Sequence, residues 1–368
     1  MIKLKLVPKL FCQGCMLLLF ITYGCQQNKD NSELISEETF KKIPKIDVHA
    51  HYKHPRKYLP NFFNRWNMKA MLVDVAIEEE DSITRNFDNY LTHYKLLPDL
   101  FYLCTTFTAS GIENPDYAEK TIAQLKKEIA LGAQMVKVWK NFGMVTQDSD
   151  GNYIQIDDPR LQPIWEFLKE NNITVLAHIA DPDQAWRPLK DPNNPHYNYY
   201  KNNPQYHAYN FPEIPSYETI IAARDQWIQN NPDLKIIAAH ILSMSNAIDS
   251  VAQRLDRFPN LSVELGARFG DLAMQDTDKV KAFFEKYQDR ILFGTDYGTG
   301  EPENLKSSED LLAEEKNLEE NYQRLFNYLT KQDSMVVRKQ QTKGLGLSNI
   351  VLEKIFSKNY LKLLSETN

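Results

Sequence analysis

Short apolar runs alternate with longer amphipathic stretches along most of this chain. Eight of the runs have the length of strands, and most of them are continuously apolar, as expected for strands buried on both faces of a parallel sheet. They span residues 43–49, 71–76, 100–105, 134–139, 173–178, 235–240, 261–265 and 290–294. Helical periodicity is found at residues 117–131, 159–171, 217–230, 247–257, 278–287 and 350–364. Asp158-Pro159 and Asn230-Asn231-Pro232 provide a helix start and a helix stop among these stretches.

About eight strand–helix units in a chain of this length predict an α/β fold, a (β/α)8 TIM barrel that occupies residues 43–368 as a single domain. A doubly wound open sheet is the alternative, because strands are counted imprecisely from one sequence. Two segments exceed ordinary loop lengths: residues 181–215, rich in Pro, Asn and aromatics, and residues 301–345, which we expect to form a helical insertion. Loops of such length are usually functional or disordered.

Residues 1–24 have the pattern of a removable export signal. Three lysines precede a short apolar run, and Thr22-Tyr23-Gly24-Cys25 resembles the cleavage box of a bacterial lipoprotein. We expect a lipid anchor at Cys25, a polar tether over residues 25–42 and a location in the bacterial cell envelope. Plain secretion and an uncleaved apolar anchor are the alternatives.

Composition narrows the choice of partners. The 368 residues carry a formal net charge of −6 at pH 7 and contain no basic run, which argues against nucleic acid. A small-molecule substrate is expected, and assembly into an oligomer is compatible with the sequence. Only Cys104 lies in the body of the chain, inside an apolar run, so we expect a buried thiol and no internal disulfide.

Residues able to bind a metal fall at the carboxyl ends of the predicted strands. His49 and His51 end the first strand, where residues i and i+2 project to the same face. His178 ends the fifth strand, His240 the sixth, and Asp296 follows the eighth. Because the carboxyl ends of barrel strands form the active-site face, these side chains together predict a metal site.

With these motifs, the sequence resembles the amidohydrolase superfamily, in particular the amidohydrolase-related branch that also contains metal-dependent decarboxylases. The resemblance covers residues 43–364 and rests on His49-Ala50-His51, His178, His240, Gly294-Thr295-Asp296 and the closing stretch 355–364. It implies that His49, His51, His178 and Asp296 bind a divalent ion, most simply Zn2+, with either one ion or two. It also implies that Asp296 is the base and that His240 polarises the substrate carbonyl or acts as acid–base.

Lys137 lies within the fourth strand, in Met135-Val136-Lys137-Val138-Trp139, where an unpaired ammonium is costly to bury. Three roles are open for it: a carboxylated bridge between two ions, as in binuclear members of the superfamily, a substrate-anion or acid–base contact, or a structural ion pair. The neighbouring Lys140 is expected to point away or outward.

Two further residues are assigned to substrate binding. Arg268 follows the seventh strand and suits a substrate carboxylate, although an ion pair with Glu264 or Asp271 explains it equally well. Glu264 is in turn a candidate partner for a ligand histidine. Trp186 is one of many aromatics in residues 181–215, a segment expected to cover an aromatic or sugar-like ligand as a lid; packing of its own aromatics is the alternative.

These observations favour a hydrolase in which metal-bound hydroxide attacks the carbonyl of an amide, ester or lactone. The alternative is a metal-dependent non-oxidative decarboxylase of an aromatic or unsaturated carboxylate. A lipoprotein that binds a ligand without turnover is the third possibility. Two departures from the branch weaken the transfer of any particular substrate: Ile241-Leu242-Ser243 replaces the usual glycine-containing turn, and Tyr297 replaces a common proline.

Overall fold

The structure, a computed structural model, describes residues 35–79, 82–190, 196–305 and 307–365. The described strands are β1 (Lys45–His51), β2 (Met68–Val73), β3 (Ile77–Glu79), β4 (Ser82–Thr84), β5 (Phe101–Thr106), β6 (Ala133–Val138), β7 (Thr174–Ala177), β8 (Ile236–Ala238), β9 (Leu261–Glu264), β10 (Ile291–Leu292), β11 (Tyr297–Gly298), β12 (Ser334–Val337) and β13 (Gln340–Lys343). Nine of them form a central parallel sheet with the order β10-β9-β8-β7-β6-β5-β2-β1-β11. The pairs β3–β4 and β12–β13 are separate antiparallel hairpins.

The sheet closes on itself because β10 and β11 are two parts of one interrupted strand. β10 pairs with β9, and β11 pairs with β1. Between the two parts, the Val48 N–H donates to the Phe293 carbonyl (2.9 Å), and the Asp296 N–H donates to the His49 carbonyl (2.7 Å). The predicted TIM barrel and its eight strands are confirmed, and the open-sheet alternative is excluded.

Helices cover the outside of the barrel, and those predicted from the sequence are present with shifts of a few residues at most. They are α1 (Glu37–Lys42), α2 (Leu59–Trp66), α3 (Phe87–Leu96), α4 (Tyr117–Ala130), α5 (Asn141–Met144), α6 (Gln162–Glu170), α7 (Tyr197–Asn202), α8 (Tyr217–Asn230), α9 (Ala239–Leu242), α10 (Ile248–Arg257), α11 (Phe269–Ala273), α12 (Thr277–Lys286), α13 (Ser308–Thr330), α14 (Asn349–Glu353) and α15 (Asn359–Ser365). Two short segments, 141–144 and 239–242, contain non-helical backbone and belong to the loops after β6 and β8. Apolar side chains fill the barrel, and the Cys104 thiol is buried among them, as predicted.

Two predicted boundaries need correction. Residues 301–345 were expected to be helical, but α13 is followed by the antiparallel hairpin β12–β13. The predicted tether extends to residue 42, yet α1 begins at Glu37, and its Phe40 is buried against Phe326 and Phe356. The predicted export signal and Cys25 lie outside the described residues. Within the described ranges, no helix is both long enough and apolar enough to cross a bilayer.

Candidate metal centre

The carboxyl end of β1 and the loop after β10 bring three predicted ligands into contact. Asp296 Oδ1 lies 3.0 Å from His51 Nε2 and 3.4 Å from His49 Nε2. The alternation of side chains along β1 places both imidazoles on the inner face of the barrel. The N–H of Asp296 donates to the His49 carbonyl, so the carboxylate is fixed directly above the histidine pair.

The Nδ1 atoms of His49, His51 and His240 each contact a hydrogen-bond acceptor. Nδ1 of His49 donates to Glu264 (3.0 Å), Nδ1 of His51 to the Val73 carbonyl (2.9 Å), and Nδ1 of His240 to the Gly266 carbonyl (2.7 Å). In the neutral ring the proton therefore resides on Nδ1, and the Nε2 lone pair faces the pocket. This is the tautomer that a metal-binding histidine requires.

The spacing of these atoms fits a divalent cation. Two atoms bound to one Zn2+ at about 2.0–2.1 Å in tetrahedral geometry lie about 3.3 Å apart, close to the 3.0 and 3.4 Å separations at Asp296. One donor atom each from His49, His240 and Asp296 also lies within 4.8 Å of the other two. Lone pairs that converge without a proton between them repel, and a cation removes that repulsion.

The protonation states also suit a metal. Burial lowers the pKa of His49 and lowers the pKa of His240 strongly, so both imidazoles are neutral. Burial alone would raise the pKa of Asp296, but the neighbouring histidines, His49 first, hold it well below its usual range. Two neutral imidazoles and one ionised carboxylate are the forms that bind Zn2+.

His178, the fourth predicted ligand, does not join this group. Its Nδ1 lies 3.2 Å from His240 Nε2, and its own Nε2 lies 3.6 Å from Asp181 without a hydrogen-bond partner among the described residues. Burial lowers the pKa of His178 to about 3, so this ring is neutral. His240, assigned from the sequence to acid–base chemistry, instead joins His49 and Asp296 as the third donor, and it is the member of that group that contacts His178.

The position of His240 follows from an unusual backbone. His240, Ile241, Leu242 and Ser243 all have positive φ, between 52° and 59°, so the turn after β8 is left-handed. Such a conformation costs roughly 1–2 kcal/mol per residue without glycine, and surrounding contacts must hold it. The buried Arg224 donates to the Leu242 carbonyl (2.6 Å), and Ser243 Oγ donates to the Ala180 carbonyl (2.6 Å).

Replacing Arg224 by methionine is expected to release this turn. The substitution removes the bond to Leu242 and breaks a buried ion pair with Asp225 (2.7 Å), which should lower the free energy of unfolding by about 3–5 kcal/mol. Hydrogen–deuterium exchange measured by mass spectrometry should become faster in the peptide that contains His240.

Arg254→Met is the matched control. Arg254 binds the other oxygen of Asp225 (2.8 Å) and the Ser250 carbonyl but has no hydrogen bond to the turn. Equal exchange of the His240 peptide in both variants would show that Arg224 does not restrain it.

Two buried carboxylates organise the centre. Glu264 accepts hydrogen bonds from His49 Nδ1, the His240 N–H (2.7 Å) and the Gly266 N–H (2.5 Å). The sequence analysis predicted such a contact with one of the candidate ligand histidines. A Cβ at Gly294 would overlap the Glu264 carboxylate, which explains the glycine before Thr295-Asp296.

The second carboxylate, Asp47, was missed by the sequence analysis. It accepts from the His49 N–H (3.1 Å), from both the N–H and the hydroxyl of Thr295, and from the Tyr322 hydroxyl (2.6 Å). Asp47 thus joins β1, the loop that carries Asp296, and α13. Its place two residues before His49 on a buried strand was the only available signal.

Lys137 points into the same centre. Its Nζ lies 3.2 Å from His49 Nε2, and burial lowers its pKa to about 8. None of the described carboxylates lies within ion-pair distance of it, so the structural ion pair proposed from the sequence is not found. The carboxylated bridge and the substrate-anion or acid–base contact remain as its two open roles.

These residues lie at the base of a cavity of about 770 Å3. Its wall includes Tyr199, Tyr200 and Tyr206 from the segment 181–215, together with Ala267 and Arg268. The sequence analysis predicted the positions of Arg268, Trp186 and Lys140, which can be compared with this wall. Arg268 lines the cavity, and the alternative ion pair with Glu264 or Asp271 is absent from the described structure.

The other two predictions need correction. Trp186 does not line the cavity: it packs on Tyr217 and donates to the Pro215 carbonyl (3.0 Å). Lys140, expected to point away, is buried at the cavity wall, where it binds Asp181 (2.8 Å) and lies 4.3 Å from the centre of the Tyr206 ring.

Residues 107–364 match a protein family whose description is "Amidohydrolase". Among solved structures, a 2,6-dihydroxybenzoate decarboxylase from Rhizobium is 14% identical with a TM-score of 0.51, and the alignment covers 88% of this chain and 99% of that one. An uncharacterised TIM-barrel protein from Bordetella bronchiseptica is 17% identical, with the same coverage and a TM-score of 0.48. An amidohydrolase from Burkholderia multivorans with bound zinc is 10% identical, with the same coverage and a TM-score of 0.44. The first of these shows the shared fold. No curated protein matches the chain significantly.

Proposed function

Because the chain belongs to the amidohydrolase family, and is thereby an enzyme of hydrolase or carboxy-lyase type, we propose that it is a metal-dependent hydrolase that cleaves an amide, ester or lactone. The observation that carries this proposal is the convergence of the His49 and His51 Nε2 atoms on Asp296 Oδ1 at 3.4 and 3.0 Å, inside a cavity. Zn2+ is the simplest ion for this donor set.

The residues proposed to hold the ion are His49, His51 and Asp296. His178 is proposed as the further ligand and His240 as the acid–base residue, although the distances among the donor atoms equally suit His240 as a ligand. When bound, a divalent cation acts as a Lewis acid: it lowers the pKa of water to about 7 and polarises a carbonyl.

The chain's own groups account for the proton transfers. Asp296 is ionised and partly exposed, so it can accept the proton of the attacking water. His240 keeps its Nδ1 proton on the Gly266 carbonyl, so its Nε2 can take up a proton. In that protonated form it can hold the substrate oxygen or pass the proton to the leaving group. Glu264 holds His49 and His240 in a fixed position relative to each other, because one of its carboxylate oxygens binds both residues.

Decarboxylation is the second candidate, and one observation favours it. Arg268 is a buried guanidinium at the cavity wall without a carboxylate partner among the described residues, as expected for a site that receives an acid. In this reaction the bond between carbon and the carboxylate breaks and CO2 leaves. His240 or Asp296 first takes a proton from water and then delivers it to the carbon.

Metal depletion and reloading test the proposal. Purified protein treated with a chelator should lose hydrolysis of a panel of lactones, esters and amides, and Zn2+ should restore it, since the ion supplies the electrophile. Elemental analysis should find bound metal; one ion per chain would argue against a carboxylated Lys137, and two would support it. Failure to bind any divalent cation, or release of CO2 from hydroxybenzoates without hydrolysis of the panel, would contradict the hydrolase proposal.

A further inference from the structure

The cavity is lined by five cationic side chains, and three of them are already neutralised. Lys53 pairs with Glu301 (3.1 Å), Lys140 with Asp181 (2.8 Å), and Arg338 with Asp271 (2.6 Å). The fourth, Lys137, lies against His49 at the candidate metal centre. The fifth, Arg268, has no carboxylate within ion-pair distance among the described residues.

Arg268 is nevertheless buried, with 9% of its surface exposed. Its Nε has no hydrogen-bond partner in the described structure, and Nη1 makes only a long contact of 3.4 Å to the Ala267 carbonyl. A buried guanidinium with unused donors is unfavourable, because it has lost its hydration without a replacement. A ligand that enters the cavity can supply the missing acceptors.

Backbone hydrogen bonds place the Arg268 loop beside the candidate metal centre. Ala267 has a positive φ of 55°, and its N–H donates to the Thr295 carbonyl, which ties the loop to the residue before Asp296. The Gly266 carbonyl accepts from His240 Nδ1. Arg268 is therefore attached to the same short loop that orients His240 and adjoins Asp296.

We infer that Arg268 binds a carboxylate of the substrate, so that the enzyme acts on a carbonyl compound that carries an acidic arm. This inference rests on the proposed function for the reacting end of the molecule. The parallel N–H groups of a guanidinium match the two oxygens of a planar carboxylate. Only one unpaired cation lies away from the metal centre in the described cavity, which favours a single carboxylate over a phosphate dianion.

The adjoining wall indicates what connects the two ends. Tyr199, Tyr200 and Tyr206 present aromatic rings to the cavity, and Tyr199 stacks on Tyr206 with ring planes 11° apart. Flat aromatic side chains favour a flat, unsaturated or aromatic partner. The substrate class is therefore an aromatic or unsaturated carboxylate with a hydrolysable carbonyl group.

Binding of benzoate and benzamide to the metal-loaded enzyme tests this inference without turnover. The two probes have nearly the same shape, but only benzoate carries a charge. We expect benzoate to bind wild type more tightly than benzamide, and Arg268→Gln to weaken benzoate by roughly 30-fold or more while benzamide changes little. Arg268→Lys keeps the charge but lacks the paired donors, so its affinity for benzoate should lie between those of wild type and Arg268→Gln. It replaces the glutamine variant in the test if that variant does not fold.

Arg56→Gln is the matched control, since Arg56 is a largely buried guanidinium paired with Glu314 (2.8 Å) and does not line the cavity. It should leave benzoate binding unchanged. Equal benzoate affinities in wild type and in both Arg268 variants would overturn the inference, as would inorganic phosphate binding more tightly than benzoate through Arg268. Metal content and melting temperature, recorded for every variant, separate this result from a failure of the proposed hydrolysis.

Discussion

Asp296→Asn is expected to lower kcat/KM for the hydrolysed substrate by about 10³-fold or more. The asparagine keeps the shape of the side chain but cannot accept the proton of the attacking water. It also removes the only carboxylate from the three-donor group with His49 and His240, so the protein should retain less Zn2+ after dialysis. Steady-state kinetics and elemental analysis of the same preparations measure both effects.

Glu301→Gln is the control for this substitution. Glu301 lies just beyond β11, which follows Asp296, and it binds Lys53 and His54 rather than the predicted ligands. It should keep its metal and most of its activity. An Asp296→Asn enzyme that retains full activity at normal metal content would refute the role of Asp296 as base.

The second large effect is expected at Glu264. Glu264→Gln places an amide where one carboxylate accepts three hydrogen bonds, and at least one N–H of His49, His240 or Gly266 must then lose its acceptor. Loss of such a partner typically weakens metal affinity by about 10- to 100-fold. Competition with a chromogenic chelator should show this weakening in the glutamine variant.

Asp74→Asn separates this effect from simple destabilisation. Asp74 is a fully buried carboxylate just beyond the end of β2, and it binds Arg85 and the Asn86 N–H instead of a predicted ligand. Both variants should melt at lower temperature, but only Glu264→Gln should lose metal affinity. Equal losses of affinity would mean that Glu264 acts on the fold alone.

The barrel could be predicted because its strands are buried on both faces. Largely apolar runs such as residues 100–105 and 173–178 are typical of such strands, and strand polarity then places His49, His51 and Asp296 at one end of the barrel. The closing bonds between β1 and the loop that carries Asp296 follow from the same topology. This part of the candidate centre therefore depends on chain order alone.

The arrangement of His178 and His240 could not be predicted in the same way. It depends on four consecutive residues with positive φ, and the sequence Ile241-Leu242-Ser243 contains no glycine to signal them. The energetic cost of this turn is offset by side chains from other elements, such as Arg224 on α8, which binds the Leu242 carbonyl. Nothing in the sequence around β8 indicates that contact. Local propensity is overridden here by tertiary contacts.

The hairpin after α13 was missed for a similar reason. Arg338 and Lys339 occupy both turn positions with φ of 48° and 65°, where Asn-Gly or Asp-Gly is the usual signal. The same turn carries Arg338 to the cavity wall. The inward position of Lys140 was also unpredictable, because it depends on the partner Asp181 from another strand end.

Asp271 contacts three separate segments of the chain beside the cavity wall. Its carboxylate accepts from Arg338 of the β12–β13 hairpin (2.6 Å) and from Ser245 (2.6 Å), and it lies 3.3 Å from His196 of the segment 181–215. The two insertions are thus fastened to each other through one acid. Among homologues, we expect the hairpin and this segment to be gained, shortened or lost together. The entrance of the cavity should therefore vary in evolution through coupled changes in both insertions.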